Sequence, residues 1–401
     1  MKQRIVLLGL LLFLVVSVGC APEEKKEEMR YDRPLRPGER ALRKITDPYQ
    51  IPDFTIACLD LEDLQKAIER SRHYLSKPSS KQFFPVSGIT HSRTVRSLEV
   101  LSNLLESGLS GGALNQEIRR KFDVYMSVGC DNKGTVLFTG YYTPIFEGSW
   151  EGAGQFQYPL YKEPSDLVKD SFGEILGRRI PDGYVAPYPA RSVIESMNML
   201  AGSELIWLKD AFKAYVAQVQ GSAKVRLPDG DLVTVGYAAN NGHEYKSIGN
   251  ELVRDGRIPS EQLSLTSMMD YFRKHPEDIP VYTNRNPRYV FFKRYDGEPH
   301  GSLNEPVTGM RTIATDKLIF PRGALTFVSA ELPRLRGDVV VSEIYSGFAL
   351  DQDTGGAIRA PGRCDFYMGV GDSAGDLAGR TRKEGKLYYL FVKEKTSSFD
   401  Y

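Results

Sequence analysis

Histidine and cysteine are scarce in this chain of 401 residues, with five of one and four of the other. No Cys-x-x-Cys occurs. His73, His91, His243, His275 and His300 are scattered without the spacing of metal ligands, so the sequence offers no zinc site. It also lacks a Walker loop and a His-Glu-x-x-His motif, and nothing in it asks for a cofactor. Charge of one sign is missing too. The 52 basic residues face 51 acidic ones, which leaves a net charge of +1 and no overall field for gripping nucleic acid or an anionic membrane. Internal repeats are absent, and the one biased stretch is a short charged segment after residue 20. What is present is 41% hydrophobic and 11% aromatic, enough to bury a substantial core and to exclude wholesale disorder. The length suits two domains, or one domain carrying a large insertion.

The start of the chain reads as a targeting signal. Lys2 and Arg4 precede an unbroken apolar run from Ile5 to Val16. A bilayer span needs roughly 20 residues, so the run is too short to cross and fits the core of a secretory signal peptide. It closes on Ser17-Val18-Gly19-Cys20, which resembles a bacterial lipoprotein signal in which Cys20 becomes the acylated N-terminus. Ser17 stands where Leu is usual. A plain signal peptide cut near Ala21 is the alternative. The charged stretch from Glu23 to Arg30 favours the lipoprotein because it makes a flexible tether. Ala21 after the cysteine points to the outer membrane. Residues 1–20 are thus expected to be signal, and residues 21–53 tether and linker. Cys58, Cys130 and Cys364 remain; being odd in number, they leave at least one thiol unpaired.

Beyond the linker, three leucine-rich stretches carry helical spacing: Leu61 to Leu75, Leu98 to Leu105, and Ile118 with Phe122 and Tyr125. The texture changes at Thr135, after which Val136, Phe138, Gly140 and Tyr142 alternate as a strand ending at Pro144. Residues 54–146 are therefore read as a helical part plus a first strand. Gly148 to Gly154 marks a break. From 147 to 285 strands mix with short helices: Tyr215, Ala217 and Val219 alternate, Lys224 to Tyr237 reads as strand, turn, strand, and Leu265 to Phe272 as a helix. From 286 to 401 short strands alternate with Gly/Pro turns, as in a small barrel. The expected class is mainly β with α, an α+β fold.

Chemistry concentrates in Asp351-Gln352-Asp353-Thr354-Gly355-Gly356-Ala357-Ile358-Arg359 and in Arg363-Cys364-Asp365-Phe366-Tyr367. The paired glycines allow unusual torsions and close approach of another group. A single aspartate here could simply cap a turn, but Asp316, Asp353 and Asp365 all sit at strand ends in one region, which favours a site. Asp353-Thr354-Gly355 also matches the aspartic-protease signature. Those enzymes need two such aspartates, and the other candidate, Asp372-Ser373-Ala374, lies too close in sequence to belong to a second lobe.

Several segments taken together are more specific. Phe138-Thr139-Gly140-Tyr141-Tyr142-Thr143-Pro144, Gln155 to Tyr161, Val219-Gln220-Gly221-Ser222, Val225 to Gly230, Val235 to Ala238, Ser247-Ile248-Gly249, Asn286 to Phe292, Thr315-Asp316 and the Asp353 and Asp365 segments occur in this order. This pattern resembles the membrane-bound lytic murein transglycosylase A family, with its C-terminal three-aspartate domain. The resemblance covers roughly residues 135 to 393. Ala223 stands where the family usually has Gly, and Arg359-Ala360 where it has Lys-Gly.

The resemblance implies a double-psi β-barrel with a second β-domain inserted into it, and a glycan groove between them. It implies cleavage of the β-1,4 bond between N-acetylmuramic acid and N-acetylglucosamine. The muramic acid's own C6 hydroxyl attacks C1 and leaves a 1,6-anhydro end. Because the nucleophile belongs to the substrate, one carboxyl group can serve as acid and then base, where ordinary glycosidases need two. Asp365 matches the family's catalytic aspartate and Asp353 is its neighbour. Thr143, Tyr142, Gln220, Gly221, Ser222, Asp316, Thr354, Gly355 and Gly356 are the expected substrate-binding residues. The expected partners are a peptidoglycan strand, the bilayer through the lipid anchor, and complexes of cell-wall synthesis or degradation. Two alternatives remain open to the residues alone: an inverting glycosidase using Asp353 and Asp365 as its pair, and a non-catalytic lipoprotein that binds glycan. Cys20→Ala is expected to shift the mature protein from the membrane to the soluble periplasmic fraction without loss of specific activity. Fractionation checks this, and unchanged membrane association would refute the anchor.

Overall fold

A computed structural model describes residues 29–337 and 339–394. Cys20 and the signal segment lie outside the described residues. All that follows belongs to the unit that begins at Tyr31, in which no helix is long and apolar enough to cross a membrane among the described residues.

Six strands close into a barrel. In spatial order they are Arg382–Val392, Leu325–Arg336, Val339–Asp353, Thr312–Ala314, Arg363–Val370 and Val136–Thr143, which returns to Arg382–Val392. Closure removes the open edges that such strands would otherwise present. Alternation along each strand fills the interior with Val136, Phe138, Ile313, Val328, Ala349, Cys364, Phe366, Leu387 and Tyr389. On the outer face Leu325, Phe327, Phe348, Leu350 and Leu390 pack against Leu64, Ile68, Leu98 and Leu101. Those residues come from the Leu64–Ser76 and His91–Glu106 helices, both expected from the leucine spacing. The third expected helix is shorter than its pattern. Gly111–Lys121 is helical, but Phe122–Ser127 is a strand beside Arg382–Val392. Phe122 and Val124 are buried two apart, so the helical reading of Tyr125 is corrected: a strand's period took over at Phe122.

A second sheet has the order Val290–Tyr295, Leu232–Asn240, Ser222–Arg226, Ile145–Ser149, Glu204–Leu208, Tyr158–Tyr161. Its strands begin before, and end after, the 147–285 segment expected from texture, because Val290–Tyr295 pairs with Leu232–Asn240 and not with the barrel. The crossing point is Pro144, between the barrel strand that ends at Thr143 and the strand that starts at Ile145. Tyr215, Ala217 and Val219 are not in a strand. They lie in the Ala211–Gln220 helix, whose start is capped by Asp210 accepting from the Lys213 N–H at 2.8 Å and whose end is Gly221 at φ +75°. Phe212, Tyr215 and Val216, all buried, carry the helical spacing.

The three cysteines are free thiols in the interior. Burial pushes the Cys58 thiol up to about 12 and Cys364 well above the ordinary value, which keeps both in the inert form.

One ion pair lies inside the barrel. Asp351 is fully buried and pairs with Lys317, itself 6% exposed. The Asp351 carboxylate also accepts from Tyr389 Oη at 2.7 Å and from Thr315 Oγ1 at 2.7 and 2.9 Å. Burial depresses the Lys317 pKa, and Asp351 opposes that shift. Removing one partner of such a pair leaves an uncompensated buried charge. Asp351→Asn is therefore expected to cost about 3–5 kcal/mol of stability, measured by urea denaturation. A variant as stable as the parent would show that the pair is dispensable.

Candidate active site

Strand register explains how the two key carboxylates meet. Ala314 is the Cα partner of Asp353 on one neighbouring strand and of Asp365 on the other. Asp365 is in turn opposite Thr139, and Tyr367 opposite Tyr141. Residues opposite one another share a face. Asp353, Asp365, Thr139, Tyr141 and Tyr367 therefore project together from the outside of the barrel while Phe366 and Phe138 point inward.

Asp365 accepts a hydrogen bond from the Thr139 hydroxyl. Arg363 Nη2 stands 4.0 Å from its carboxylate and 3.4 Å from Thr139 Oγ1. The Asp365 side chain keeps 21% of its surface exposed. Burial raises its pKa to about 6; the Arg363 charge works against that rise and Asp353 adds to it. A carboxyl group tuned to this range can give up a proton and take one back near neutrality.

Asp353 is held differently. Its Oδ2 accepts from Tyr141 Oη at 2.8 Å, and its Oδ1 accepts from the backbone N–H groups of Ser302 and Thr354, both at 2.8 Å. Burial raises its pKa, and these three donors pull the other way. Gly301 allows this packing: a Cβ there would stand 3.0 Å from the Asp353 carboxyl carbon. Neither Gly301 nor Ser302 carries a sequence signal of its own, and both were missed for that reason. Tyr141, known from the sequence only as part of its motif, is a hydrogen-bond donor to the site.

Other expected residues have different places. Thr143 has no exposed surface; its hydroxyl lies 3.1 Å from Ser222 Oγ and 2.9 Å from Tyr367 Oη. The Tyr142 ring packs in the barrel core, and its N–H donates to Gln220 Oε1 at 3.2 Å. With Gly221 ending a helix, this group joins the barrel to the second sheet, Thr143 and Ser222 inside the junction and Gln220 and Gly221 partly exposed beside it. Asp316 is buried and accepts from the N–H groups of Leu318 and Ala360, at 3.1 and 3.0 Å. It holds Ala360 at φ +66°, the left-handed conformation in which the usual Gly is free of strain. Thr354 closes its turn by donating to the Thr315 carbonyl at 2.8 Å. Gly355 and Gly356 are outside the left-handed region, so the expectation of unusual torsions is corrected. The expected close approach holds at Gly356, where a Cβ would stand 3.3 Å from Arg288 Nε and 3.4 Å from Tyr245 Cβ.

The family models match the two halves of this arrangement. The MltA specific insert domain matches residues 137–293 and the 3D domain residues 311–391. A membrane-bound lytic murein transglycosylase A of Escherichia coli K12 is 30% identical over 294 residues, covering 72% of this chain and 74% of that protein. This chain belongs to the membrane-bound lytic murein transglycosylase A family. The family's protein from Vibrio cholerae is 30% identical over 266 residues, 65% of this chain and 67% of the relative. Among solved structures, a membrane-bound lytic murein transglycosylase from Agrobacterium tumefaciens superposes with a TM-score of 0.73 at 26% identity, covering 88% of this chain and 98% of the other. The E. coli family member with bound chitohexaose superposes at 0.69 and 24% identity, covering 91% and 99%, and supports the shared fold.

A further motif in this transglycosylase-family chain is silent. Gly371-Asp372-Ser373-Ala374-Gly375 has the spacing of a hydrolase nucleophile elbow, and it sits where Arg363–Val370 turns into the Asp372–Arg380 helix. Four of the histidines are hydrogen-bonded elsewhere, His73 to Glu305, His91 to Ser80, His243 to the Tyr188 carbonyl and His300 to the Glu298 carbonyl, and His275 pairs with Glu277. Ser373 is exposed, and no histidine is hydrogen-bonded to it among the described residues. Gly375 is explained by packing: a Cβ there would stand 2.9 Å from the Tyr142 ring.

The Asp365 pKa has a consequence for stability. Because it is raised, the folded protein keeps a proton from about pH 4 to about pH 6 that the unfolded chain has already lost. Stability therefore falls as pH rises through that window, and above it the buried carboxylate costs up to about 3 kcal/mol. Asp365→Asn is expected to melt higher than the parent at pH 7.5, with the gap closing towards pH 4. A variant that melts lower at every pH would contradict this origin of the shift.

Proposed function

We propose that this chain cleaves the β-1,4 bond between N-acetylmuramic acid and N-acetylglucosamine in peptidoglycan, leaving a 1,6-anhydro end, with Asp365 as its acid and then its base. Protonated Asp365 gives its proton to the glycosidic oxygen as the bond to C1 breaks, and N-acetylglucosamine leaves with a free C4 hydroxyl. The C6 hydroxyl of the muramic acid bonds to its own C1, and the Asp365 carboxylate accepts the proton released. The aspartate ends as it began and no water is consumed. Thr139 orients the carboxyl group. Arg363 keeps its pKa from rising further.

The observation that carries this reading is the inequality of the two aspartates. Asp365 is tuned for proton exchange, whereas both oxygens of Asp353 are occupied by Tyr141, Ser302 and Thr354. An inverting glycosidase would need that second carboxylate free to activate water. Asp353 acts through Asp365, as a neighbouring carboxyl that helps hold its pKa up. The family's name describes a membrane-bound enzyme. For this chain we assign the attachment to a lipid on Cys20, which places the enzyme on the periplasmic face of the outer membrane, within reach of complexes that build or degrade the wall.

Digestion of purified sacculi followed by mass spectrometry tests the chemistry. Products are expected to weigh one water less than those of a hydrolase. Asp365→Asn is expected to lose at least about 10²–10⁴-fold in turnover, while Asp353→Asn shifts the alkaline limb of the pH–rate profile downward. Hydrated ends would indicate a hydrolase, and no turnover a glycan-binding lipoprotein.

A further inference from the structure

Two arginines stand beside the Gly355-Gly356 turn without a direct ion pair among the described residues. Arg288, from the segment that enters the second sheet, packs its guanidinium on Gly356, where a Cβ would come within 3.3 Å of Nε and 3.4 Å of Cζ. It is half-buried, and it donates to the His243 carbonyl at 2.9 Å. Arg359 is exposed three residues beyond Gly356. Among the described residues neither makes an ion pair within 4.0 Å, whereas Lys66, Arg70, Lys246 and Arg363 do. Burial and the Arg359 charge lower the Arg288 pKa, while Tyr237 and the Glu174 carboxylate work the other way without pairing directly. A desolvated cation placed near a second one is unfavourable unless an anion joins them.

Tyr245 links this pair to the chemistry. Its Cβ lies against Gly356, and Asp365 is close enough to help raise its hydroxyl pKa, after burial. The Gly356 turn follows directly from Asp353. A group that reaches Arg288 therefore meets the chain beside the turn that follows Asp353.

We propose that Arg288 and Arg359 form a carboxylate subsite for the acidic group carried on the lactyl ether of the muramic acid. This rests on the peptidoglycan reading above. The muramic acid offers this chemistry in two forms. A stripped glycan carries the free lactyl carboxylate, and an intact one carries the carboxylates of its peptide. Guanidinium groups suit either, because their fork of donors matches a carboxylate's two oxygens. N-acetylglucosamine polymers have no such group, so the subsite distinguishes wall glycan from a neutral chain of the same backbone.

The test measures binding to the full mature protein carrying Asp365→Asn, so that ligands are not consumed. The probes are peptide-bearing strands, strands stripped of peptide, stripped strands whose lactyl carboxyls are converted to neutral methyl amides, and chitohexaose. The carboxylated strands are expected to bind about tenfold more tightly than the amidated ones, as for a charge-assisted pair. Arg288→Gln with Arg359→Gln is expected to reduce that ratio to near one, and Arg288→Lys to keep part of it. Preference for stripped strands assigns the lactyl carboxylate as the ligand; preference only for peptide-bearing strands assigns the peptide. Equal binding of charged and neutral strands by the parent, or equal loss on both in the variants, overturns the subsite. Turnover on sacculi by the parent is read separately, so a chain that shows the preference yet forms no anhydro ends would refute the reaction and leave the subsite standing.

Discussion

One extra residue in one strand sends two aspartates, Asp351 and Asp353, to opposite faces of the barrel wall. Along Val339–Asp353 the register to Thr312–Ala314 shifts between the partners Ile313–Asp351 and Ala314–Asp353, so Gln352 is a bulge. Without it, Asp351 and Asp353 would share a face, as residues two apart in a strand do. With it, Asp351 turns into the barrel to pair with Lys317, while Asp353 turns out to the site. Gln352 itself is tied down: it accepts from Thr312 Oγ1 at 2.6 Å and donates to the Ala67 carbonyl at 2.8 Å, so the first helix helps to hold the irregularity in place. A one-residue slip would turn every side chain of the strand to the opposite face and take Asp353 away from Tyr141 and Asp351 away from Lys317.

The site that this register creates is unfavourable as structure and useful as chemistry. A solvated aspartate would be ionised at neutral pH and could not act as an acid. Asp365 is kept partly protonated by withdrawal from water, at a cost to the fold, and Arg363 limits how far that goes. The barrel interior supplies compensation through many buried aliphatic and aromatic side chains. Active sites commonly sit at such local losses.

Much of this could be read along the chain, and what could not is non-local. Strands such as Val136–Thr143 and the turn at Asp229-Gly230 show in local alternation and turn residues, and ordered motifs carried the family and Asp365. The Ala211–Gln220 helix was misread because three residues spaced by two fit a strand as well as they fit part of a helix. Thr143 looked like a groove residue because it ends a motif-bearing strand, yet its burial depends on Ser222 and Tyr367, far away in sequence. Tyr141's bond to Asp353, the Ser302 N–H and the placement of Arg288 on Gly356 all depend on how distant segments meet. The bulge at Gln352 is likewise invisible until two strands are paired.

The chain passes from barrel to second sheet through Pro144 alone, with Thr143, Ser222 and Tyr367 hydrogen-bonded around the junction. Proline fixes its own backbone torsion, and neighbouring residues on both sides are committed to ladders. The outgoing passage is thus short and stiff, while residues 296–311 carry the chain back to the barrel. On the proposed reading, a glycan that meets this stiff junction gives up its own freedom of twist to bind.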